Sequence, residues 1–243
     1  MKINIILSVV ILLLSGCVKQ PDIPTYHLKN SDKIGYIIQP SGDVYHGHMG
    51  TTIFNNMEKT YVYNWALEKN VQRSLAKNVH KKMVNLSKYN IKYSDIKDMI
   101  VAKDGQWTIG KKAQYDRLLN KLHLKAILLI NQETTYVLTG RDPIVMNASG
   151  LASHNLIGLK RYFAVSAYDF NLYLLKPKAV IRVKEALKAE MIYDSLITSS
   201  QEKSGFKKPE DIDNITKEEL EVVRKKVIQL IDDGTKSIDS YLK

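Results

Sequence analysis

The sequence predicts an α/β (α+β) fold: a mixed β-sheet of about four to five strands with helices packed on it, a long amphipathic helix after strand 1 and a closing C-terminal helix. Three observations predict it. Residues 33–38 (KIGYII) form a short apolar run bounded by Pro40 and Gly42, the pattern of a strand. Leu67, Val71, Leu75, Val79 and Met83 recur every four residues, while Lys69, Arg73, Lys77 and Lys81 fall on another face. That is the pattern of an amphipathic helix over about 64–86. Ala126-Ile127-Leu128-Leu129-Ile130 is a continuous apolar run directly after a second helical stretch, as in a strand buried on both faces. A strand, a crossover helix and a second strand imply a parallel pair.

The remaining elements follow in order. Residues 40–56 are rich in Gly, His, Thr and Asn and read as a loop. Residues 89–111 are mixed, with a turn expected at Asp104-Gly105. Ala113 to His123 reads as a shorter helix with Leu118, Leu119 and Leu122 inward, and the alternation after the buried run extends through Val137. Residues 139–160 hold three glycines and a proline and read as a second long loop. Residues 162–175 are rich in β-favouring side chains, Lys176-Pro177-Lys178 turns the chain, and Val180 to Glu185 alternates. Ile181 and Val183 face one side and Arg182 and Lys184 the other, which makes a hairpin with one wet face. Residues 199–214 are polar. Thr216 with Glu219 is a capping box that opens the last helix, whose stripe of Leu220, Val223, Val227, Leu230 and Ile231 suits core packing. No internal repeat is present.

The amino terminus carries its own message. Lys2 is followed by an apolar run, Ile3 to Leu14, too short for a transmembrane helix, which needs about 20 residues. The run closes in Leu14-Ser15-Gly16-Cys17, which resembles the lipobox of bacterial lipoproteins. The resemblance implies cleavage between Gly16 and Cys17, with a diacylglycerol and an N-acyl chain carried by Cys17. It divides the chain into a signal peptide (1–16), a lipidated tether (17–32), a mixed α/β periplasmic domain (33–198), and a linker with an amphipathic helix (199–243). Val18 and Lys19 after the cysteine resemble outer-membrane cargo facing the periplasm. Cys17 is the sole cysteine, so no disulfide supports the fold. The net charge of +11 suits anionic partners: lipid headgroups, lipopolysaccharide or peptidoglycan. The basic residues are dispersed, as on solvated helix faces, and the export signal argues against nucleic acid.

The stretches 115–132 and 167–186 (AYDFNLYLLKPKAVIRVKEA) give a helix, a buried strand and a strand pair around a turn. This resembles a module of the Tol-system propeller protein's amino-terminal domain, of curli-secretion lipoproteins and of lipoprotein activators of penicillin-binding proteins. The likeness covers about 33–190 in pattern only and carries no functional residue. It implies binding of an envelope protein or of peptidoglycan, not catalysis.

Candidate chemistry centres on Tyr45-His46-Gly47-His48. In extended backbone His46 and His48 point the same way, and imidazole is a common ligand of divalent metals. If the first two strands run parallel, both long loops leave one sheet edge, where open α/β sheets bind ligands. His154 would then join His46 and His48, with Asp43 or Asp142 adding an oxygen. The alternative, favoured by the residue types, is two polar loops with unrelated imidazoles and no cofactor besides the acyl chains. Residues 51–56 (TTIFNN) suit a sugar or peptide ligand, or turns that bond their own backbone, and the latter is the better fit. Catalytic signatures are missing: there is no Gly-x-Ser-x-Gly elbow, and Lys112 stands where a phosphate loop needs Ser or Thr. Glu218-Glu219 and Asp232-Asp233 belong to a surface helix. The chain is therefore not read as an enzyme.

Overall fold

The computed structural model describes residues 27–103, 106–139, 142–176, 178–183, 188–197 and 204–242, with backbone only for 101–103 and 106–108. Gly16 and Cys17, most of the tether, the turn at Asp104-Gly105, Pro177, Lys184-Glu185 and residues 198–203 lie outside the described residues. In chain order the strands are β1 (Lys33–Ile38), β2 (Val44–Met49), β3 (Met57–Tyr61), β4 (Lys82–Asn85), β5 (Ile100–Lys103), β6 (Gln106–Ile109), β7 (Leu124–Gln132), β8 (Thr135–Leu138), β9 (Pro143–Met146), β10 (Gly150–Leu156), β11 (Leu159–Val165), β12 (Tyr168–Leu174), β13 (Ala179–Arg182) and β14 (Ala189–Asp194). The helices are α1 (Leu67–Asn78), α2 (Tyr93–Met99), α3 (Lys112–Asp116, continued by a wider turn at Arg117–Lys121) and α4 (Lys217–Tyr241).

The α+β class is as expected, but the mixed five-stranded sheet occurs twice. The first has the order β13-β12-β7-β1-β4 and the second β14-β11-β10-β2-β3; β5–β6 and β8–β9 are separate hairpins. β1 is parallel to both β4 and β7, as the crossover argument required. The sheets correspond strand by strand: β1 leads into β2, β7 reaches β10 through the β8–β9 hairpin, β11 runs into β12, and β13 leads to β14. Only Ser166 and Ala167 separate β11 from β12, and both keep ladder bonds: the Ser166 N–H donates to the Lys188 carbonyl at 2.7 Å, and the Glu133 N–H to the Ala167 carbonyl at 2.9 Å. The period of two survives the junction, so Tyr162, Ala164, Tyr168, Phe170, Leu172 and Leu174 all enter one core.

That core lies under α1, through Leu67, Val71 and Leu75, and under α4, through Leu220, Val223, Val227, Ile231 and Ile238. The closing helix is thus part of the main core, and the capping box that starts it is formed. A second cluster packs α2 and α3 on the opposite face of the first sheet, through Ile96, Met99, Tyr115 and Leu118 against Ile37, Ile127 and Leu129. A third packs Val137, Ile144 and Met146 of the β8–β9 hairpin on Tyr45, Ala152 and Val165 of the second sheet.

Several expectations need correction. The helix expected to reach residue 86 stops at Asn78, where Val79 turns extended (φ −104°, ψ 116°). Met83 continues the four-residue apolar spacing, yet it lies in β4 beside Ile34. Pairing at the sheet edge wins over helix propensity, and the His80 N–H is held by the Asp239 carboxylate of α4 at 3.1 Å. The expected loop 40–56 contains β2, and the expected loop 139–160 contains β9 and β10. The apolar run 162–175 is two strands in two sheets. Part of the expected tether is fastened to the body: Lys81 Nζ donates to the Leu28 carbonyl at 2.8 Å and to Asn30 Oδ1 at 3.0 Å. Among the described residues no helix is long and apolar enough to cross a membrane.

Candidate functional site

The sequence-derived candidates fall on two neighbouring parallel strands, β2 and β10, in the register His46↔Leu151, His48↔Ser153 and Met49↔His154. Glycine makes this approach feasible. A Cβ on Gly150 would stand 1.8 Å from the Tyr45 carbonyl oxygen, and one on Gly47 would stand 3.0 Å from Ile144 Cγ2 of the overlying hairpin.

His46 and His48 share a face, as their i, i+2 spacing requires, with ring centroids 6.4 Å apart. Between them lies a residue that sequence reasoning missed. Ser153 Oγ is 2.7 Å from His46 Nε2 and 2.8 Å from His48 Nδ1. One hydroxyl supplies one proton, so it donates to one ring and accepts from the N–H of the other. Nδ1 of His46 is buried without a partner. An empty lone pair there is less costly than an orphaned N–H, so the proton belongs on His46 Nε2, and Ser153 donates to His48 Nδ1. No motif announces Ser153; only the pairing of β2 with β10 could have found it.

His46 is fully buried and stacks on Tyr61 at 6.2 Å and 25°. Burial, then the neighbouring His48 and Lys59, pushes its pKa down to about 3. Lys59 stands 5.2 Å from the Tyr61 ring centroid and donates to the Asp213 carbonyl and to Asn214 Oδ1. His48 is also held below the ordinary imidazole range, by burial first and then by His154, with Asp213 and Ser153 opposing. Both rings are therefore neutral near pH 7.

His154 does not join them. The register and strand alternation place it on the opposite face with Met49. There it borders a cleft of about 470 Å³ shared with Thr51, Thr52, Asn56 and Asp142, so the two expected loops do meet, and it shares the border of a smaller cleft with His48. Its Nδ1 is buried and without a partner, and burial, then Arg161, lowers its pKa. The polar residues of this cleft mostly bond locally: Thr52 Oγ1 donates to Asn55 Oδ1 at 2.8 Å, Thr51 Oγ1 to the Asn155 carbonyl at 3.1 Å, and the Gly50 N–H to Asn56 Oδ1 at 3.0 Å. Two of these bonds lie within the 50–56 turn, and the Thr51 bond crosses to the end of β10.

Chemically, His46, Ser153 and His48 form a polar knot, buried at His46 and Ser153 and half-buried at His48. A metal taking both rings on their facing nitrogens would have to displace the Ser153 hydrogen bonds. Among the described residues no group of three or more His, Cys, Asp or Glu is arranged to hold a metal ion. Ser153 is 1% exposed, and its hydroxyl occupies Nε2 of His46 and Nδ1 of His48 at once.

Comparison with known protein families and with curated proteins gives no match. Among solved structures, a hypothetical protein from Chlamydia trachomatis is similar at 7% identity and a TM-score of 0.29, over 84% of this chain and 98% of that one.

Proposed function

We propose that the chain is a lipid-anchored lipoprotein of the bacterial cell envelope, a non-enzymatic module that binds or helps assemble another envelope protein or peptidoglycan in the periplasm. The observation that carries this reading is Leu14-Ser15-Gly16-Cys17 at the end of an apolar amino-terminal run. Cys17 would carry the diacylglycerol and N-acyl chains, and Val18-Lys19 favours the outer membrane. The surplus of cations suits an anionic surrounding. The burial of Ser153 between two neutral rings fits a structural polar core better than a reaction centre. The likeness of 33–190 to envelope-binding modules supports the same role as an argument from pattern.

Fractionation and cross-linking test it. Cys17→Ser should release the protein from membranes without detergent, and cross-linking in intact cells should recover one dominant envelope partner or wall fragment. A wild-type chain that is extracted without detergent, or a clean blank in cross-linking, sinks the reading. A second reading, a lipoprotein that takes a divalent metal or small ligand through His46 and His48, draws on the unpartnered Nδ1 of His46. Elemental analysis decides it: stoichiometric metal lost in His48→Ala supports it, and metal content indifferent to that change ends it.

A further inference from the structure

β2, β10 and β14 all run towards the same end of the second sheet, because β2 is parallel to β10 and β14 is antiparallel to β11, which is antiparallel to β10. The β2–β3 loop, the β10–β11 turn and the residues after β14 therefore emerge side by side. Five strands at about 4.8 Å spacing make this edge roughly 20 Å wide. Each of the three tips carries exposed apolar side chains: Ile53 (78% exposed) and Phe54 (90%), Ile157 (85%), and Leu196 (70%) with Ile197 (44%). Scattered single apolar residues need no explanation, but five on one edge do.

Ile157 pays twice for its place. It is solvent-exposed, and it sits at φ 48° in a two-residue turn with Gly158 at φ 83°. Such turns favour Asn at the first position, and a β-branched residue there is strained. Basic groups stand beside the row. Lys160 stands one residue past the turn and borders a small cleft with Lys208. Hydrogen-bond contact with the Lys208 side chain, then burial, then the Lys208 charge hold Lys160 below the usual lysine range. Among the described residues neither lysine forms an ion pair, although Glu210 borders the same cleft.

We propose that this edge docks on a bilayer bearing anionic phospholipids, with the apolar tips entering the headgroup–acyl boundary and Lys160 and Lys208 receiving a phosphate between them. Two features select a bilayer over a protein. The apolar groups stand one or two to a tip on three separate projecting tips, a shape that suits a fluid interface and lacks the packed centre of a protein-docking patch. Two cations that repel each other are complementary to a headgroup phosphate. The inference does not rest on acylation of Cys17, and its test uses a chain that carries none.

The chain from residue 17 with Cys17→Ser is sedimented with vesicles of phosphatidylglycerol and phosphatidylethanolamine, and with vesicles of phosphatidylcholine alone. It should bind the anionic vesicles more tightly, and salt should weaken that binding. Adding Phe54→Ser and Ile157→Asn should weaken it about tenfold or more, given the apolar area withdrawn from each side chain. Adding Lys160→Gln and Lys208→Gln instead should weaken it several-fold and blunt its response to salt. Ile157→Asn relieves the turn, so its melting temperature should equal or exceed that of the parent, which separates lost docking from lost folding. The proposal is overturned if the parent chain stays in solution at low salt, if both lipid compositions bind equally, or if the Phe54/Ile157 variant binds like the parent. An envelope protein captured through Phe54 and Ile157 without any vesicle binding overturns it equally.

Discussion

Mild acid should loosen this fold while its carboxylates are still ionised, and His46 should be a main reason. Its ring is fully buried against Tyr61 and beside Lys59, and it takes a proton only near pH 3 in the folded chain. In the unfolded chain the same ring protonates at about 6.5. The folded pKa is the lower one, so between these values the unfolded state binds more protons. The contribution to stability is complete above about pH 6.5 and is lost progressively as pH falls towards 3. Between pH 7 and pH 5 this linkage amounts to about 2 kcal/mol from His46 alone. His48 and His154 are lowered as well and add to it with the same sign. Urea unfolding followed by circular dichroism at pH 7, 6 and 5 measures the effect. His46→Gln removes the titrating ring, so it should start less stable at pH 7 and lose about 2 kcal/mol less than the parent on going to pH 5. Parallel pH profiles for the two proteins would refute the argument, as would a parent chain that gains stability on acidification.

Three further outcomes follow from packing and capping. Gly150→Ala places a Cβ on the Tyr45 carbonyl, which neither backbone can avoid while β2 and β10 stay paired; it should cost about 3 kcal/mol or more in chemical denaturation. Phe206→Ala empties a fully buried site 5.3 Å from the Tyr162 ring and should cost about 3–5 kcal/mol, read as a lowered urea midpoint at unchanged slope. Thr216→Ala removes the oxygen that accepts the Glu219 N–H and should cost about 1 kcal/mol by the same measurement, whereas Thr216→Ser should cost little.

The parts of the fold that the sequence made legible are those where periodicity and burial agree. β1 and β7 are short apolar runs with parallel pairing, β12 and β13 form the expected hairpin, and α4 begins at its capping box. The second sheet was hidden because its central strands carry the residues that usually mark loops. Gly47 and Gly150 look like turn glycines, yet each sits mid-sheet or at a strand start, where another segment leaves no room for a side chain. His46, Ser153 and His154 are polar and nevertheless buried, so alternation of hydropathy fails along β2 and β10. The candidate site was half legible for the same reason. The i, i+2 rule placed His46 and His48 together, but a strand read as a loop has no register, and register alone sends His154 to the far face and brings Ser153 in.

The position of β1 also governs how the body would bear mechanical load. Any pull from the amino-terminal side, once the Lys81 bonds to Leu28 and Asn30 give way, reaches Lys33 and is directed along a strand that sits inside its sheet, with parallel neighbours on both flanks. To draw that strand out, both ladders must slip lengthwise together, because neither can be opened one rung at a time from an edge. A chain pulled from its amino-terminal side is thereby gripped at a point that resists shear.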